Sequence, residues 1–224
     1  MISVVIIPVL NRYDLLDRCI ESIPATVDEV LVIDNGDTLD EIAESRLNYN
    51  APLVRVLRMP SNLGVAASWN LGIKLYPFAA GWLLLNSDAW FVDDAFGRFE
   101  AHVATDRVVQ AGAPPWCCTW VGRDVVERVG LFCELFYPAY MEDIDYEERC
   151  DALNVPVIQV DAHVGHDNSS TIRSSADLSH ENDRTHRLNT LTYADRWASL
   201  TSAGVPREQE WSLGVRCRNA WGAS

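Results

Sequence analysis

The hydrophobic residues in the first half of the chain form four short, continuous runs. They are ISVVII (2–7), EVLVID (29–34), LVRVLRM (53–59) and GWLLLN (81–86). Each run ends at a proline or at a cluster of small polar residues. Continuous apolar runs of this length are typical of strands buried on both faces of a sheet. The pattern therefore predicts four strands, the first of them buried on both faces and stopping at Pro8.

Segments with helical spacing alternate with these runs. They are RYDLLDRCIESI (12–23), DTLDEIAESRL (37–47) and VAASWNLGIKLY (65–76). Strands that alternate with helices in this way predict an α/β fold with a parallel sheet and right-handed crossovers. Ligands of such sheets bind at the carboxyl ends of the strands. We therefore expect the polar residues that follow the four strands to meet at one edge of the domain.

The second half of the chain has a more mixed pattern. Helices are predicted over 93–104, 123–130, 141–153 and 180–200, and strands over 108–113, over 116–121 and within 155–166. In the last helix, we expect Leu188, Leu191 and Trp197 to lie on one side. This half predicts a small mixed part beside the parallel sheet.

Composition and charge narrow the classes of function. The 224 residues are 48% apolar and carry a net charge of −14, with the acidic excess in residues 1–166. An acidic body argues against nucleic-acid or anionic-membrane partners, which need basic faces, and is compatible with a bound divalent cation. The six cysteines include no Cys-x-x-Cys pair, so reduced thiols are expected rather than a zinc site. With no basic segment at the N-terminus and no long apolar run, a cytoplasmic protein is expected.

Two candidate binding features follow the second and third strands. Asp34 and Asn35 end the second strand, where a carboxylate can accept hydrogen bonds from a ribose or a base. An Asp-Asn-Gly turn explains the same residues without a ligand. After the third strand, Asn62 and Gly64 precede a helix that opens with small residues. Such a helix start lets the backbone approach a phosphate, although the spacing of the dinucleotide and phosphate-loop fingerprints is absent.

The segment LLLNSDAW (83–90) ends the fourth strand with polar groups. Asp88 is a candidate ligand for Mg²⁺ or Mn²⁺, which prefer oxygen, and Asn86 could assist it. A simple turn is the alternative. Further along, His166 leaves a strand and enters a polar loop, so it is a structural or exposed histidine or, paired with an Asp elsewhere, part of a metal site.

Carboxylates crowd the segment MEDIDYEE (141–148). Glu142 and Asp143 lie just after the aromatic run LFYPAY (135–140), which suggests a cleft rather than open solvent. A carboxylate at this place can act as a general base. The alternative is a solvated first helical turn, where acidic residues favour the helix dipole.

Taken together, these segments resemble family 2 of the inverting nucleotide-sugar glycosyltransferases, which have the GT-A fold. The matching segments are IIPVLNR, VIDNGD, NLGVAASWNLGI, LLLNSDAW, VERVGLFCELFYPAYMEDIDYEERC and GHDNSST. They occur in the family's order over about residues 2–172. The resemblance implies one catalytic domain over residues 1–172, with a nucleotide-binding half to about residue 90 and an acceptor half over 91–172.

The resemblance also implies roles for single residues. Asp143 matches the catalytic base, whereas Asp88 and His166 match the positions associated with Mn²⁺ or Mg²⁺. The expected nucleotide-sugar-binding residues are Pro8, Val9, Asn11, Asp34, Asn35, Asn62, Gly64, Asn70, Asn86, Ser87 and Glu142. The implied partners are a nucleotide-diphosphate sugar as donor and a hydroxyl acceptor on a glycan, a lipid-linked intermediate or a protein.

The chain departs from the family pattern at three positions. Asn86 stands where the first acid of the metal motif is usual, which weakens the expected metal site. Trp69 replaces a basic residue that often precedes Asn70, so one diphosphate contact is lost or moved elsewhere. Cys133 replaces an Asp that usually follows Gly-x-Phe. Asn86 and Cys133 keep a non-catalytic sugar- or nucleotide-binding protein open as an alternative.

Two further expectations concern the second half of the chain. The aromatic side chains that could line the acceptor side, or else pack in the core, are Trp116, Trp120, Phe136, Tyr137 and Tyr140. Residues 173–224 are expected to form a helical extension that packs over the active site or makes a contact in a homodimer. A sugar-nucleotide nucleotidyltransferase is a second alternative, but the segment PVLNRYD lacks the glycine-rich, basic loop that it needs.

Overall fold

The computed structural model describes residues 1–36, 53–167 and 176–198. The strands are β1 (Val4–Val9), β2 (Glu29–Asp34), β3 (Leu53–Arg58), β4 (Gly81–Leu85), β5 (Ala89–Phe91), β6 (Val108–Ala111), β7 (Cys118–Gly122), β8 (Val157–Gln159) and β9 (Val164–His166). The α-helices are α1 (Tyr13–Glu21), α2 (Val65–Leu75), α3 (Ala95–Glu100), α4 (Arg123–Val129), α5 (Glu142–Ala152) and α6 (Ala176–Ala198). The helix predicted over 37–47 lies outside the described residues.

A seven-stranded sheet forms the centre of the fold, in the order β3-β2-β1-β4-β7-β6-β8. Neighbouring strands pair in parallel except where β7 runs antiparallel to both β4 and β6. The mainly parallel α/β sheet predicted from the four apolar runs is thus confirmed. A separate antiparallel pair, β5 with β9, makes up the small mixed part.

The core lies on both faces of this sheet. Val5 and Ile7 pack on one side with buried residues of α1, whereas Val4 and Ile6 pack on the other side with Trp69 of α2. Alternate residues of a strand point to opposite faces, so a strand covered on both sides must be apolar throughout. This double burial accounts for the apolar runs of β1, β2 and β4, whereas β3, at the edge of the sheet, has no fully buried residue.

The expectation that Pro8 stops the first strand is wrong. β1 continues to Val9, and Pro8 lies in register with Ile33 of β2. On the other side, β1 pairs with β4 only at Val5 and Ile6. A proline is tolerated where a strand has no ladder partner to receive its missing N–H. The extra residues carry the carboxyl end of β1 to the same level as Asp34.

The last helix also differs from its prediction. A helix does span Ala176–Ala198, but Leu188 and Leu191 are 50% and 63% exposed. Residues six apart lie about 240° apart around a helix, so Leu191 and Trp197 cannot share a face. The buried side chains include Thr185 and Asn189 instead. Among the described residues, no helix is long and apolar enough to cross a membrane.

Candidate active site

Asp34 lies fully buried at the carboxyl end of β2, beside Val9 of β1. One of its carboxylate oxygens accepts a hydrogen bond from the Tyr13 hydroxyl at 2.7 Å and another from the Gly36 amide at 3.1 Å. Tyr13 begins α1, so it ties the loop after β1 to the loop after β2. Nothing in the sequence pattern distinguishes Tyr13 from an ordinary helix residue, and sequence reasoning did not select it. Pro8, Val9 and Asp34 thus come together as predicted candidates.

Asn35 joins this edge of the sheet to the loop before α2. Its side-chain amide donates to the Ser68 hydroxyl at 3.0 Å, and its carbonyl oxygen accepts from the Leu63 amide at 2.9 Å. Within the loop, the Asn62 side chain accepts from the Gly64 amide at 2.8 Å. The candidates Asn35, Asn62 and Gly64 therefore belong to one hydrogen-bonded unit at the start of α2.

Gly64 brings the two halves of the domain into contact. Its backbone has φ 82° and ψ 171°, a conformation that is essentially restricted to glycine. A Cβ atom there would lie 2.8 Å from the Pro138 carbonyl oxygen, and the next amide, that of Val65, donates to that oxygen at 2.8 Å. Only glycine allows this approach, so the loop over 137–141 lies directly against the N-terminus of α2.

Asn70 has a different place from the other candidates of this group. It is fully buried inside α2, where its side chain donates to the Phe132 carbonyl and to Glu134 and accepts from the Phe132 amide. These three hydrogen bonds measure 2.8–2.9 Å. Asn70 thus fixes the segment that leads toward α5, and its amide is engaged within the protein.

Asp88 and His166 meet beyond the end of β4. The His166 Nε2 and an Asp88 carboxylate oxygen are 3.0 Å apart, and both side chains are largely buried. The pairing of β5 with β9 produces this contact, because Ala89 lies opposite His166 in the register. The amide of Asp167 also donates to the Asp88 carbonyl at 3.0 Å. The family resemblance associates both residues with the metal, and the structure places them in contact.

Asn86 and Ser87 form the turn that carries Asp88. The Asn86 amide donates to the Cys117 carbonyl, and its carbonyl accepts from the Ala89 amide and the Cys19 thiol. Ser87, like Asp88, is only 8% exposed. The turn and metal-ligand readings of LLLNSDAW are therefore compatible, because a tight turn after β4 is what holds Asp88 in place.

The charges around Asp88 perturb neighbouring groups. Burial alone would lower the pKa of His166, but the hydrogen bond to Asp88 and the charge of Asp88 outweigh it, so its pKa is raised. The pKa of Arg12, which follows β1 beside the candidate Asn11, is raised by its hydrogen bond to Asp14 and also by the charges of Asp88 and Asp167. The ends of β1 and β4 therefore share one electrostatic environment.

Glu142 and Asp143 open α5 at the end of the 137–141 loop. Glu142 is 4% exposed, its Oε2 atom is buried without a hydrogen-bond partner, and burial raises its pKa well above the usual value. Asp143 is half-buried and accepts from the Ile144 amide at 2.8 Å. Burial also raises the pKa of Asp143. Both carboxyls thus lie away from open solvent, in line with the cleft that the aromatic run suggested.

The carboxylate-rich helix α5 also contains a structural member. Asp145 is fully buried and accepts from Arg149 Nε at 2.9 Å, from Arg196 Nε at 2.8 Å and from Trp197 Nε1 at 3.1 Å. Arg149 is itself fully buried and also donates to two backbone carbonyls. Asp145 is therefore engaged in packing α5 and α6, and it is not available as a base.

Comparison with protein families matches residues 4–130 to the family described as "Glycosyl transferase family 2", which is more than half of the chain. The chain belongs to glycosyl transferase family 2. The resemblance found in the sequence motifs is thereby confirmed. The matched residues contain the ends of β1, β2 and β4, and hence Asp34 and Asp88.

Solved structures confirm the GT-A fold of this family 2 chain. It is similar to GalNAc-T7 crystallised with UDP, GalNAc and Mn²⁺, with a TM-score of 0.64, 13% identity and 74% of this chain covered. It is also similar to S. aureus TarS residues 1–349 in complex with UDP, with a TM-score of 0.55, 16% identity and 71% covered. The matches span 44% and 58% of those two chains. Comparison with curated protein sequences gives no match.

The side chains at this site of the family 2 chain supply some of the ligands that a divalent cation needs, but not all of them. In residues 1–36, 53–167 and 176–198, no group of three or more His, Cys, Asp or Glu side chains could hold a metal ion. Asp88 and His166 supply one oxygen and one nitrogen donor, and the Nδ1 atom of His166 is buried without a hydrogen bond. Hard divalent cations often take their remaining ligands from water and substrate phosphates. The pair therefore suits a metal that binds together with a nucleotide.

The five aromatic side chains considered for the acceptor side divide between core and surface. Trp116, Trp120 and Phe136 are buried, and Trp116 packs with Phe132 and Tyr146 in the core. Tyr137 is 51% exposed and Tyr140 is half-buried. Of the five, these two are the ones whose rings are not fully buried, and both lie in the 137–141 loop that precedes Asp143.

We predict that Glu142→Gln stabilises the protein above about pH 4.5. Because burial raises the pKa of Glu142 above its usual value near 4.5, the unfolded chain releases its proton first as the pH rises. The wild type should therefore lose stability from about pH 4.5 upward to the pKa of the folded state, and the variant should not. Urea denaturation at pH 4 and pH 8 measures this difference in unfolding free energy.

The matched control for Glu142→Gln is Glu127→Gln, on the exposed face of α4. It should leave the pH dependence of stability unchanged. Equal loss of stability with pH in the wild type and in Glu142→Gln would show that the Glu142 carboxyl is solvated in the folded protein.

Proposed function

We propose that this chain transfers a sugar from a nucleotide-diphosphate sugar to an acceptor hydroxyl, with inversion and with a divalent cation. The observation that carries the proposal is the Asp88–His166 pair, 3.0 Å apart, beyond the strand β4 of a family 2 chain. The fold explains why binding residues meet there, because Asp34 ends β2 in the same parallel sheet. In this proposal residues 1–172 are one catalytic domain and residues 173–224 are an extension of it.

The donor is proposed to bind across the ends of β1 and β2 and the start of α2. The Asp34 carboxylate accepts from the Tyr13 hydroxyl and the Gly36 amide, and a carboxylate at the end of a strand can also accept hydrogen bonds from a ribose. The positive end of the α2 dipole, next to Asn62 and Gly64, suits the diphosphate. GalNAc-T7 and TarS were crystallised with UDP, which makes UDP the first nucleotide to test.

Asp88 and His166 are proposed to hold Mn²⁺ or Mg²⁺ when the nucleotide is present. The chemistry supplied by such an ion is Lewis-acid compensation of the negative charge on the leaving diphosphate. The GalNAc-T7 structure contains Mn²⁺, and this supports the choice of that ion for the first experiments.

Asp143 is proposed as the general base. Its carboxylate takes the proton of the acceptor hydroxyl as the hydroxyl oxygen attacks the anomeric carbon. The bond between that carbon and the β-phosphate oxygen breaks, and its electron pair stays on the leaving nucleoside diphosphate. Attack from the opposite side inverts the anomeric configuration. The raised pKa of Asp143 supports this role, because a base works best when its pKa approaches the working pH.

Two other carboxylates of α5 fit the role of base less well. Asp145 is saturated by Arg149, Arg196 and Trp197. Glu142 is more deeply buried than Asp143, and burial raises its pKa well above the usual value. A protonated Glu142 can donate a hydrogen bond to a sugar hydroxyl, which suits its expected place among the nucleotide-sugar-binding residues.

A thermal-shift screen of nucleoside diphosphates with and without Mn²⁺ tests the donor half of this proposal. We expect one base to stabilise the protein, and more strongly with Mn²⁺. Release of UDP or dTDP from a panel of nucleotide sugars then tests turnover, and the product anomer measured by NMR tests inversion. Binding without any turnover would support the non-catalytic alternative instead.

We predict that Asp88→Ala removes the effect of Mn²⁺ on nucleotide binding. Loss of one of two protein ligands should weaken UDP binding in the presence of Mn²⁺ by at least about tenfold, since even groups that only orient metal ligands contribute 10–100-fold. Binding without metal should change little. Isothermal titration with UDP, with and without Mn²⁺, measures both affinities.

Asp28→Ala is the control for Asp88→Ala. Asp28 is exposed next to the amino end of β2, at the edge of the sheet opposite the candidate site. It should bind UDP like the wild type. An Asp88→Ala protein that retains the full response to Mn²⁺ would remove Asp88 from the metal site.

A further inference from the structure

The long helix α6 contacts the site through two groups of hydrogen bonds. Near its middle, Asn189 reaches the 137–141 loop, and near its end, Arg196 and Trp197 reach Asp145 of α5. Asn189 is 4% exposed, and Asp145 is fully buried. α6 thus contacts both the loop before the proposed base and the helix that carries it.

Asn189 fixes a backbone segment of unusual conformation. Its side-chain amide nitrogen lies 2.8 Å from the Ala139 carbonyl oxygen and 3.3 Å from those of Tyr137 and Tyr140. Tyr140 and Met141 both have left-handed backbones, with φ 76° and 78°. Left-handed conformations are unfavourable for non-glycine residues and persist only where the surroundings enforce them. Asn189 supplies part of that enforcement.

The left-handed pair Tyr140 and Met141 sets the start of α5. Met141 is the N-cap residue, and its carbonyl receives the Asp145 amide at 2.9 Å. Asp143 therefore lies between two residues whose positions are restrained, Met141 on its N-terminal side and Asp145 on its C-terminal side. Arg196 and Trp197 restrain the second point, because they donate to the same Asp145 oxygen at 2.8 and 3.1 Å.

The same loop also meets the proposed nucleotide site. The Pro138 carbonyl accepts from the Val65 amide at the start of α2, where Gly64 allows the close approach. A shift of the 137–141 loop would therefore move Asp143 relative to the diphosphate end of a bound donor. A displacement of about 1 Å can cost about 10²-fold in rate.

We propose that Asn189 and Arg196 of α6 are positioning residues for sugar transfer, holding the 137–141 loop and Asp145 so that Asp143 faces the anomeric carbon. This inference rests on the proposed function, in which Asp143 is the base. It assigns to α6 a part in catalysis that acts through the 137–141 loop and Asp145.

The test compares Asn189→Ala and Arg196→Met with Arg196→Lys and the control Thr190→Ala. Lysine retains a charged donor for Asp145, whereas Thr190 is exposed and bonds only within its own helix. We expect kcat for UDP release from a UDP-sugar to fall about tenfold or more in Asn189→Ala and Arg196→Met. UDP affinity with Mn²⁺ should stay within about twofold of wild type, and Arg196→Lys should recover most of the rate.

Hydrogen exchange provides a readout that does not depend on activity. Amides 141–146 should exchange faster in Asn189→Ala and Arg196→Met, and at the wild-type rate in Thr190→Ala. Unchanged kcat, or a rate loss without faster exchange over 141–146, would overturn the positioning role. A parallel fall in UDP affinity in both variants would also overturn it, because it would show a general loss of structure. If the wild type turns over no nucleotide sugar, the proposed function fails, and the exchange data still decide whether α6 restrains the start of α5.

Discussion

Asp143→Asn is expected to abolish sugar transfer while leaving nucleotide binding near that of the wild type. Asparagine keeps the size of the side chain but cannot accept the acceptor proton, and general-base assistance is worth about 10²–10⁴ in rate. Asp143 does not belong to the strand ends where the nucleotide is proposed to bind, so UDP affinity should change little. Release of UDP from a UDP-sugar measures the rate, and titration with UDP measures binding.

The stability of Asp143→Asn distinguishes a lost base from a damaged fold. Because burial raises the pKa of Asp143, its ionised form is disfavoured in the folded protein, and a neutral asparagine should be tolerated at least as well at neutral pH. Asp151→Asn, exposed at the other end of α5, is the matched control and should keep full activity. If the Asp143→Asn protein retains more than a few per cent of the wild-type rate of sugar transfer, Asp143 is not the base.

The sheet is the part of this fold that the sequence predicts best. Three of the four runs, those of β1, β2 and β4, are buried as continuous apolar strands, and the alternation of all four runs with helices favours parallel pairing. Local stop signals are less reliable. Pro8 is a strong breaker by itself, but the neighbouring ladder ends at Ile6 and leaves room for it. The pairing between strands, which the sequence does not display, decides that boundary.

The candidate site divides in the same way. Asp34 and Asp88 can be recognised in the sequence as candidate binding residues, because each lies at the end of a recognisable strand. The residues that contact them could not be selected in this way. Tyr13, which binds Asp34, lies in a helix. His166 reaches Asp88 through the pairing of β5 with β9, two three-residue strands that are far apart in the chain. Such short strands have no periodicity to detect. The resemblance to family 2 supplied the pairing that physical reading of the residues left open.

The carboxylates of α5 show where sequence reading reaches its limit. Glu142, Asp143 and Asp145 are alike in the sequence, and each could be solvated, catalytic or structural. The structure separates them by their neighbours, because Arg149 lies one turn after Asp145 and Arg196 arrives from α6. A contact with a residue 51 positions away cannot be inferred from local spacing. The buried face of α6 cannot be predicted from the sequence either. Its buried side chains include the polar Thr185 and Asn189, whereas the buried face of a helix is usually recognised by its apolar residues.

Asp145→Ala is expected to be the most destabilising single change considered for α5. It leaves Arg149 fully buried without its carboxylate partner and also releases Arg196 and Trp197 of α6. Removing one member of a buried ion pair costs about 3–5 kcal/mol. For a chain of this size, a loss of that order lowers Tm by about 6–20 °C. Urea denaturation followed by circular dichroism measures the unfolding free energy, and a thermal melt measures Tm.

Two variants show whether the cost of Asp145→Ala arises from the uncompensated Arg149. Asp151→Ala removes an exposed carboxylate from the same helix and should change the unfolding free energy by less than about 0.5 kcal/mol. The double variant Asp145→Leu with Arg149→Met replaces the buried pair by apolar side chains, an exchange that is often neutral. It should recover most of the stability lost in Asp145→Ala. If the double variant is as unstable as the single one, the loss comes from the detached α6, and the buried charge of Arg149 is not its cause.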